Sequence, residues 1–325
     1  MTTKAVRIHE HGGPEVLRYE EVDLPAPPPG HVRVRHTAIG LNYIDTYHRT
    51  GLYPLPGFPA TLGVEAAGVV EELGEGVREL QVGDRVAYAG VLGAYSERQN
   101  LPAERLVKLP VGIDDRTAAA MMLKGMTAEY LLRRTYRVRP GDTILFHAAA
   151  GGVGLLACQW AKHLGATVIG TVGSEEKAEL AREHGCDHVI VYTKEDFAAR
   201  VREITGGEGV PVVYDSVGQA TFEGSLACLA PRGLLVSFGN ASGPVRPFPL
   251  TLLAEKGSLY VTRPTLATYT ARREELLASA LELFRVVEAG VVRVEVRQTY
   301  PLREAASAHR DLEARRTTGS TVLLP

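Results

Sequence analysis

The sequence predicts an α/β fold in which a doubly wound parallel sheet is inserted into a strand-rich domain. Three observations carry this. From Arg139 onward, short apolar runs alternate with helical runs at the spacing of βα units. Before Asp114 the chain reads as short strands punctuated by Gly and Pro. After a long helical stretch near residues 271–289 the pattern returns to strand, and the chain ends on the short apolar run Ser320–Leu324.

In order, strands are expected at Val16–Val22, Val32–Ala38, Gly68–Gly74, Gly83–Tyr88 and Gly93–Leu101, with Pro25–Gly30 as a Pro-rich connector. Val32–Ala38 alternates with period two, as a half-buried strand does. Asp114 and Asp115 are placed to cap a helix rich in Ala and Met that runs to about Tyr136. Strands then follow at Thr143–His147, Thr167–Val172, His188–Tyr192, Val210–Tyr214 and Gly233–Phe238. Helices are expected at Gly152–Leu164, Glu175–His184, Asp196–Ile204 and Thr221–Leu229. A long helix at Ala271–Ala289, a strand at Val291–Thr299 and a helix near Ala305–Arg315 close the chain. Residues 1–121 and 263–325 are therefore expected to form one domain, interrupted by a nucleotide-binding domain at 122–262.

Composition narrows the function. The 325 residues allow about two domains. The net charge of −2 gives no basic field for nucleic acid or an anionic membrane. No apolar run approaches the ~20 residues that span a bilayer, and Met1–Pro14 lacks a signal-peptide core. A cytoplasmic location is expected. Cys158, Cys186 and Cys228 are odd in number and widely spaced, which suits reduced structural thiols rather than a metal site.

The strongest motif is Ala148-Ala149-Ala150-Gly151-Gly152-Val153-Gly154, between a strand and a helix. Gly151 lets the backbone approach a pyrophosphate, Gly154 lets the helix pack closely on the strand, and the helix N-terminus offers N–H groups to phosphate. Ala149 stands at the first glycine position of GxGxxG, which is compatible with that turn if its φ stays negative. About 20 residues on, NAD enzymes carry an acid for the ribose 2′-hydroxyl. This chain has Gly173-Ser174 there, with Lys177 shortly after, which favours NADPH over NADH.

The stretch Gly141–Lys162, with Gly151-Gly152-Val153-Gly154 and Gln159-Trp160-Ala161-Lys162, resembles the signature of the quinone oxidoreductase/zeta-crystallin family of medium-chain dehydrogenase/reductases. His11–Leu17, Ala38–Asp45, Gly83–Val86 and Tyr214–Gly218, which includes Ser216, look like further family segments. The resemblance implies a GroES-like β-rich catalytic domain, a Rossmann domain, a cleft between them and a homodimer. It places Asn42, Tyr43, Asp45, Tyr47 and Tyr53 by the nicotinamide, with Lys124 and Thr127 on the connecting helix. Gly173, Ser174, Lys177, Tyr192 and Arg315 fall on the adenosine and 2′-phosphate side, and Ser216, Phe238, Gly239 and Asn240 near the nicotinamide ribose. Of these, Asn42, Tyr47, Tyr53 and Thr127 are the expected catalytic residues.

Zinc alcohol dehydrogenases of the same superfamily carry a Cys where this chain has Asn42, and Gly-His-Glu where it has Gly63-Val64-Glu65. A catalytic zinc needs three close N, S or O ligands, so no metal is expected. Without zinc a simple alkoxide lacks a strong stabiliser. A quinone or enone gives a delocalised oxyanion that phenol and amide donors stabilise. The expected activity is zinc-independent hydride transfer from NADPH to a quinone. The alternatives are reduction of α,β-unsaturated aldehydes or ketones, including enoyl thioesters, and a non-enzymatic role as a crystallin-like or RNA-binding protein.

Overall fold

The computed structural model describes all residues, Met1–Pro325, and divides them into two compact units. The first comprises 1–126, 270–288 and 294–325; the second comprises 127–269 and 289–293. No helix is long and apolar enough to cross a membrane.

The first unit holds two sheets. In the smaller, Thr2–Ile8 lies between Arg18–Asp23 and Ala60–Thr61. In the larger, the order is Val296–Pro301, Ser320–Leu324, His31–Leu41, Glu65–Leu73, Arg85–Ala89, Val107–Lys108. His31–Leu41 carries the sheet: its end pairs with the C-terminal strand (Thr321 opposite Leu41), and its start pairs with Arg98–Pro102. Irregular register within it, between Arg33 and Val34 and between His36 and Ala38, bends the strand as bulges do. Its inward residues Val32, Val34 and Ile39 join Leu62, Tyr88, Tyr95, Leu101 and Leu323 in one core.

The second unit is a six-stranded parallel sheet ordered His188–Val191, Thr167–Val172, Thr143–Phe146, Val210–Asp215, Leu229–Ser237, Tyr260–Thr262. This is the dinucleotide-binding strand order, with the switch point between Thr143–Phe146 and Val210–Asp215. Leu145, Ile169, Ile190, Val213 and Leu235 fill its core. The strands are short apolar runs because helices cover both faces, which leaves no solvated face to impose alternation.

Several elements differ from the sequence reading. The helix from Asp115 stops at Tyr130 and widens into a π-turn over Leu131–Thr135; Asp114 caps its start by accepting from the Arg116 and Thr117 N–H groups. Val291–Arg293 is not strand. The Gln159 amide accepts from the Arg293 N–H (3.0 Å) and donates to the Arg293 carbonyl (3.1 Å), which takes the groups a strand partner would use. Only Val296–Pro301 is strand there. Likewise Gly93–Glu97 is irregular, with Gly93 at φ 112°, and the strand begins at Arg98. Thr2–Ile8 and Tyr260–Thr262 are strands that the sequence reading lacks.

Candidate active site

In the second unit the glycine-rich turn leaves strand Thr143–Phe146 and opens helix Gly152–His163. The left-handed residue of this turn is Ala148, at φ 53°; Ala149 is not left-handed, which meets the condition for an alanine there. Ala149 is instead buried, with its N–H on the Thr171 carbonyl at 3.1 Å. The glycines do different work. A Cβ on Gly154 would stand 2.4 Å from the Ala148 carbonyl oxygen and 2.6 Å from that of Ala149, so the backbone itself demands glycine. A Cβ on Gly151 would meet only the Ala148 oxygen at 3.1 Å and the Ala148 Cβ at 3.9 Å. Gly151 has extended backbone and caps the helix with no side-chain bond. Gly151, Gly152 and Val153 thus form an open cradle of backbone at a positive helix end, which fits a pyrophosphate.

Ser174 follows strand Thr167–Val172 and caps helix Glu175–Glu183, accepting from the Lys177 N–H at 3.3 Å. Glu175, whose charge opposes a phosphate here, is paired with Lys194 at 2.7 Å. Gly173 packs beneath Tyr192, whose hydroxyl would lie 2.9 Å from a Cβ there. On the other side of the switch point, Asp215 ends its strand by accepting from the Val217 and Gly218 N–H groups. Phe238 donates its N–H to the Asp215 carbonyl, and Gly239 packs so closely on Ser216 that a Cβ would stand 2.4 Å from its oxygen. Ser216, Phe238 and Asn240 remain partly exposed on this rim.

The first unit, by itself, holds a buried polar cluster. Glu65, fully buried, accepts from the Leu123 N–H at 2.7 Å on one oxygen. Its other oxygen accepts from Asn42 Nδ2 at 2.7 Å and Lys124 Nζ at 3.0 Å. An anion accepts only, so Glu65 fixes the Asn42 amide with its nitrogen inward and its Oδ1 as the remaining acceptor. Asn42 begins helix Tyr43–Thr50, and its N–H donates to Asp45 Oδ2 at 2.9 Å. That oxygen also accepts from the Tyr95 hydroxyl at 2.9 Å, while Asp45 Oδ1 has no partner. Burial raises the Asp45 carboxyl to about 7. Beyond Tyr95 lie His309 (3.0 Å) and Arg49 (2.8 Å from His309), and Arg49 ends on Glu313 at 2.6 Å. Burial and the Arg49 charge push His309 down to about 3.

Tyr43, Tyr47 and Tyr53 form a run of rings with centroid separations of 5.6 and 5.0 Å. Thr127 follows Lys124 on the same helix and is 7% exposed. Arg315 follows helix Ala305–Glu313 in a left-handed conformation at φ 59°. Asp45 is a correction to the expected cofactor contacts. It is 0% exposed, and its Oδ2 is spent on the Asn42 N–H and the Tyr95 hydroxyl, so it supports Asn42 from behind. His36 is buried between the Ser96 carbonyl and the Tyr88 hydroxyl, and burial lowers it to about 4. The sequence reading missed the parts that Glu65, Tyr95, Arg49, His309 and Asp215 play. No local signal marks them, since their partners are distant in the chain, except that Asp215 directly follows the expected strand Val210–Tyr214, just before Ser216-Val217-Gly218.

No group of three or more His, Cys, Asp or Glu side chains is arranged to hold a metal ion. At Glu65 the cation is the Lys124 ammonium itself.

Residues 28–132 match the alcohol dehydrogenase GroES-like domain family and residues 152–283 the zinc-binding dehydrogenase family. The second match falls outside the positions of Asn42 and Val64, where zinc relatives carry ligands. The chain is 61% identical to a quinone oxidoreductase of Pseudomonas aeruginosa, over 99% of both chains. It is 52% identical to a 2-haloacrylate reductase of Burkholderia sp, over 99% of this chain and 98% of that one. The crystal structure of Escherichia coli quinone oxidoreductase complexed with NADPH superimposes with a TM-score of 0.98 at 52% identity, covering 99% of this chain and 100% of that one.

Proposed function

We propose, for a chain that belongs to the quinone oxidoreductase family of the medium-chain dehydrogenase/reductases, that it is an NADPH-dependent enzyme reducing a quinone without zinc. The observation that carries the reading is the open backbone cradle at Gly151–Val153, set beside a strand end that offers Ser174 and Lys177 where an NAD enzyme carries an acid. The NADPH complex of the Escherichia coli relative supports it.

Bound NADPH supplies the hydride; the chain supplies position and charge. Gly152 and Val153 present N–H groups to the pyrophosphate, while Gly151, whose N–H goes to the Ala148 carbonyl at 2.9 Å, allows close backbone approach and Ala149 and Gly154 shape the turn from beneath. Gly173, Ser174, Lys177, Tyr192 and Arg315 receive the adenosine 2′-phosphate end. Ser216, Phe238, Gly239 and Asn240 border the nicotinamide ribose. Tyr47, Tyr53 and Thr127 orient the acceptor and donate to its developing oxyanion; Asn42, whose amide protons go to Glu65 and Gly40, orients the acceptor without donating to it. Lys124, held by Glu65, contributes fixed positive charge. Zinc independence rests on the donor set: an amide, a carboxylate and an ammonium hold one another where zinc relatives place ligands. The domain division implied is 1–121 with 263–325 for the acceptor and 122–262 for the nucleotide.

A second reading, reduction of an α,β-unsaturated carbonyl compound, is favoured by the Burkholderia relative, whose named substrate is a conjugated alkene. The proposal includes a homodimer across the edge strand Tyr260–Thr262, where Tyr260 is 62% and Leu250 78% exposed. It also includes a cytoplasmic location, which suits three free buried thiols.

The test is cofactor discrimination. Lys177→Ala should raise the Kd for NADPH about tenfold, or about 1.4 kcal/mol, and leave that for NADH within about twofold. Equal weakening of both would remove the 2′-phosphate assignment.

A further inference from the structure

Four buried side chains in the second unit are not used by the proposed chemistry. Thr171, His147, Ser225 and Asp215 are each 2% exposed or less. His147 Nδ1 lies 2.8 Å from Thr171 Oγ1, His147 Nε2 lies 3.0 Å from Ser225 Oγ, and Ser225 Oγ lies 2.8 Å from Asp215 Oδ2. The proton directions follow from chemistry. Asp215 also receives the Val217 and Gly218 N–H groups and the Thr221 hydroxyl at 2.7–3.0 Å, so as a carboxylate it accepts from Ser225 too. With its proton given to Asp215, the Ser225 oxygen accepts from His147 Nε2–H. Burial lowers the His147 pKa and keeps the ring neutral, so Nδ1 accepts from the Thr171 hydroxyl. The result is a one-way chain, Thr171 to His147 to Ser225 to Asp215.

The resemblance to a hydrolytic triad is only in composition. The serine stands between the acid and the histidine, and all three are sealed from solvent. What the chain joins is more telling. Thr171 lies at the end of Thr167–Val172, just before Gly173-Ser174. His147 directly precedes the left-handed Ala148 of the glycine turn. Asp215 directly precedes Ser216. These are three adjacent strands of the sheet, and each sends out one of the turns assigned to the dinucleotide.

We propose that Thr171, His147, Ser225 and Asp215 are positioning residues that fix the spacing of the three nucleotide turns. Affinity for the whole dinucleotide depends on this chain, whereas affinity for either half does not. The inference rests on the NADPH reading above. A ligand that bridges several turns gains from their correct mutual placement, while a fragment touching one turn gains nothing from it.

The experiment is calorimetric titration of the full-length protein with NADPH, adenosine 2′,5′-bisphosphate and reduced nicotinamide mononucleotide. Thr171→Val removes the first donor at nearly constant volume, and Ser225→Ala cuts the centre. Each should raise the Kd for NADPH by about tenfold and move the Kd for either fragment by less than about twofold. Thr171→Ser keeps the hydroxyl and should bind like the unmodified protein. Equal weakening of NADPH and both fragments, or unchanged NADPH binding in Thr171→Val, would overturn the proposal. Should Ser225→Ala fail to fold, Thr171→Val and Thr171→Ser decide the matter. Failure of the unmodified protein to bind NADPH sinks the nucleotide reading itself, and this inference with it.

Discussion

The two units carry candidate groups built from opposite materials. In the second unit the surface offered to a ligand is backbone: three residues at a helix end, with Gly154 buried beneath so that the turn can close. In the first unit the candidate groups are buried side chains: Asn42, Lys124 and Glu65, drawn from three separate segments and locked by one another. The backbone half depends on what is absent, a Cβ. The side-chain half depends on charges whose partners must all be present. The first fails by steric intrusion and the second by loss of compensation.

Breaking the comparison on the charged side should give the largest effect. Lys124→Met leaves Glu65 buried and short of its counter-charge, and should cost about 4 kcal/mol of stability. Adding Glu65→Gln to Lys124→Met should recover about half of that or more, because the uncompensated charge is gone. Chemical denaturation of the single and double variants measures both. If the double variant is as unstable as the single, charge compensation is not what holds the cluster.

On the backbone side two glycines three residues apart should separate cleanly. Gly154→Ala drives a Cβ into two carbonyl oxygens and should cost about 3 kcal/mol of stability. Gly151→Ala should cost under about 1 kcal/mol, because only one oxygen approaches to 3.1 Å, and its loss should appear in NADPH affinity instead. Thermal melts paired with NADPH titration distinguish the outcomes. Equal destabilisation by both would mean the turn is a packing motif alone.

The smallest effect concerns Asp45. Burial raises its folded pKa to about 7, against an ordinary value of 3.8. Between those values the folded state holds a proton that the unfolded state has lost, so this group's contribution to stability falls as pH rises through that window. His36 and His309, held neutral down to about 4 and about 3, act in the opposite sense below pH 6.5. The measurement is therefore a difference. The melting temperature of Asp45→Asn minus that of the parent should rise by about 3 °C between pH 4 and pH 7. A flat difference would mean that Asp45 stays ionised in the fold.

The same contrast explains what the sequence disclosed. The glycine turn is local: strand, motif and helix lie within some twenty residues of one another, so backbone logic reads directly from the chain. The parallel strands were legible as apolar runs for the same reason. The charged cluster was not. Asn42 was visible as a residue standing in for a ligand, but its partner Glu65 and the Tyr95–His309–Arg49 line behind it come together only through the fold. Asp45 was read as a contact because position alone does not say that a carboxylate is spent on its own helix start. The strand expected from Val291 failed for a related reason, since a single glutamine side chain replaced a backbone partner.

We propose that the glycine turn binds NADPH while the Asn42–Glu65–Lys124 groups serve the acceptor without a metal. This proposal is tested most directly by following NADPH oxidation with 1,4-benzoquinone after exhaustive chelation, with metal content and quinone consumption measured on the same sample. The expected result is undiminished turnover, one NADPH consumed per quinone reduced to hydroquinone, and far less than one zinc per chain. Turnover lost on chelation and restored by added zinc would contradict it, and would make the Asn42–Glu65–Lys124 cluster a bystander.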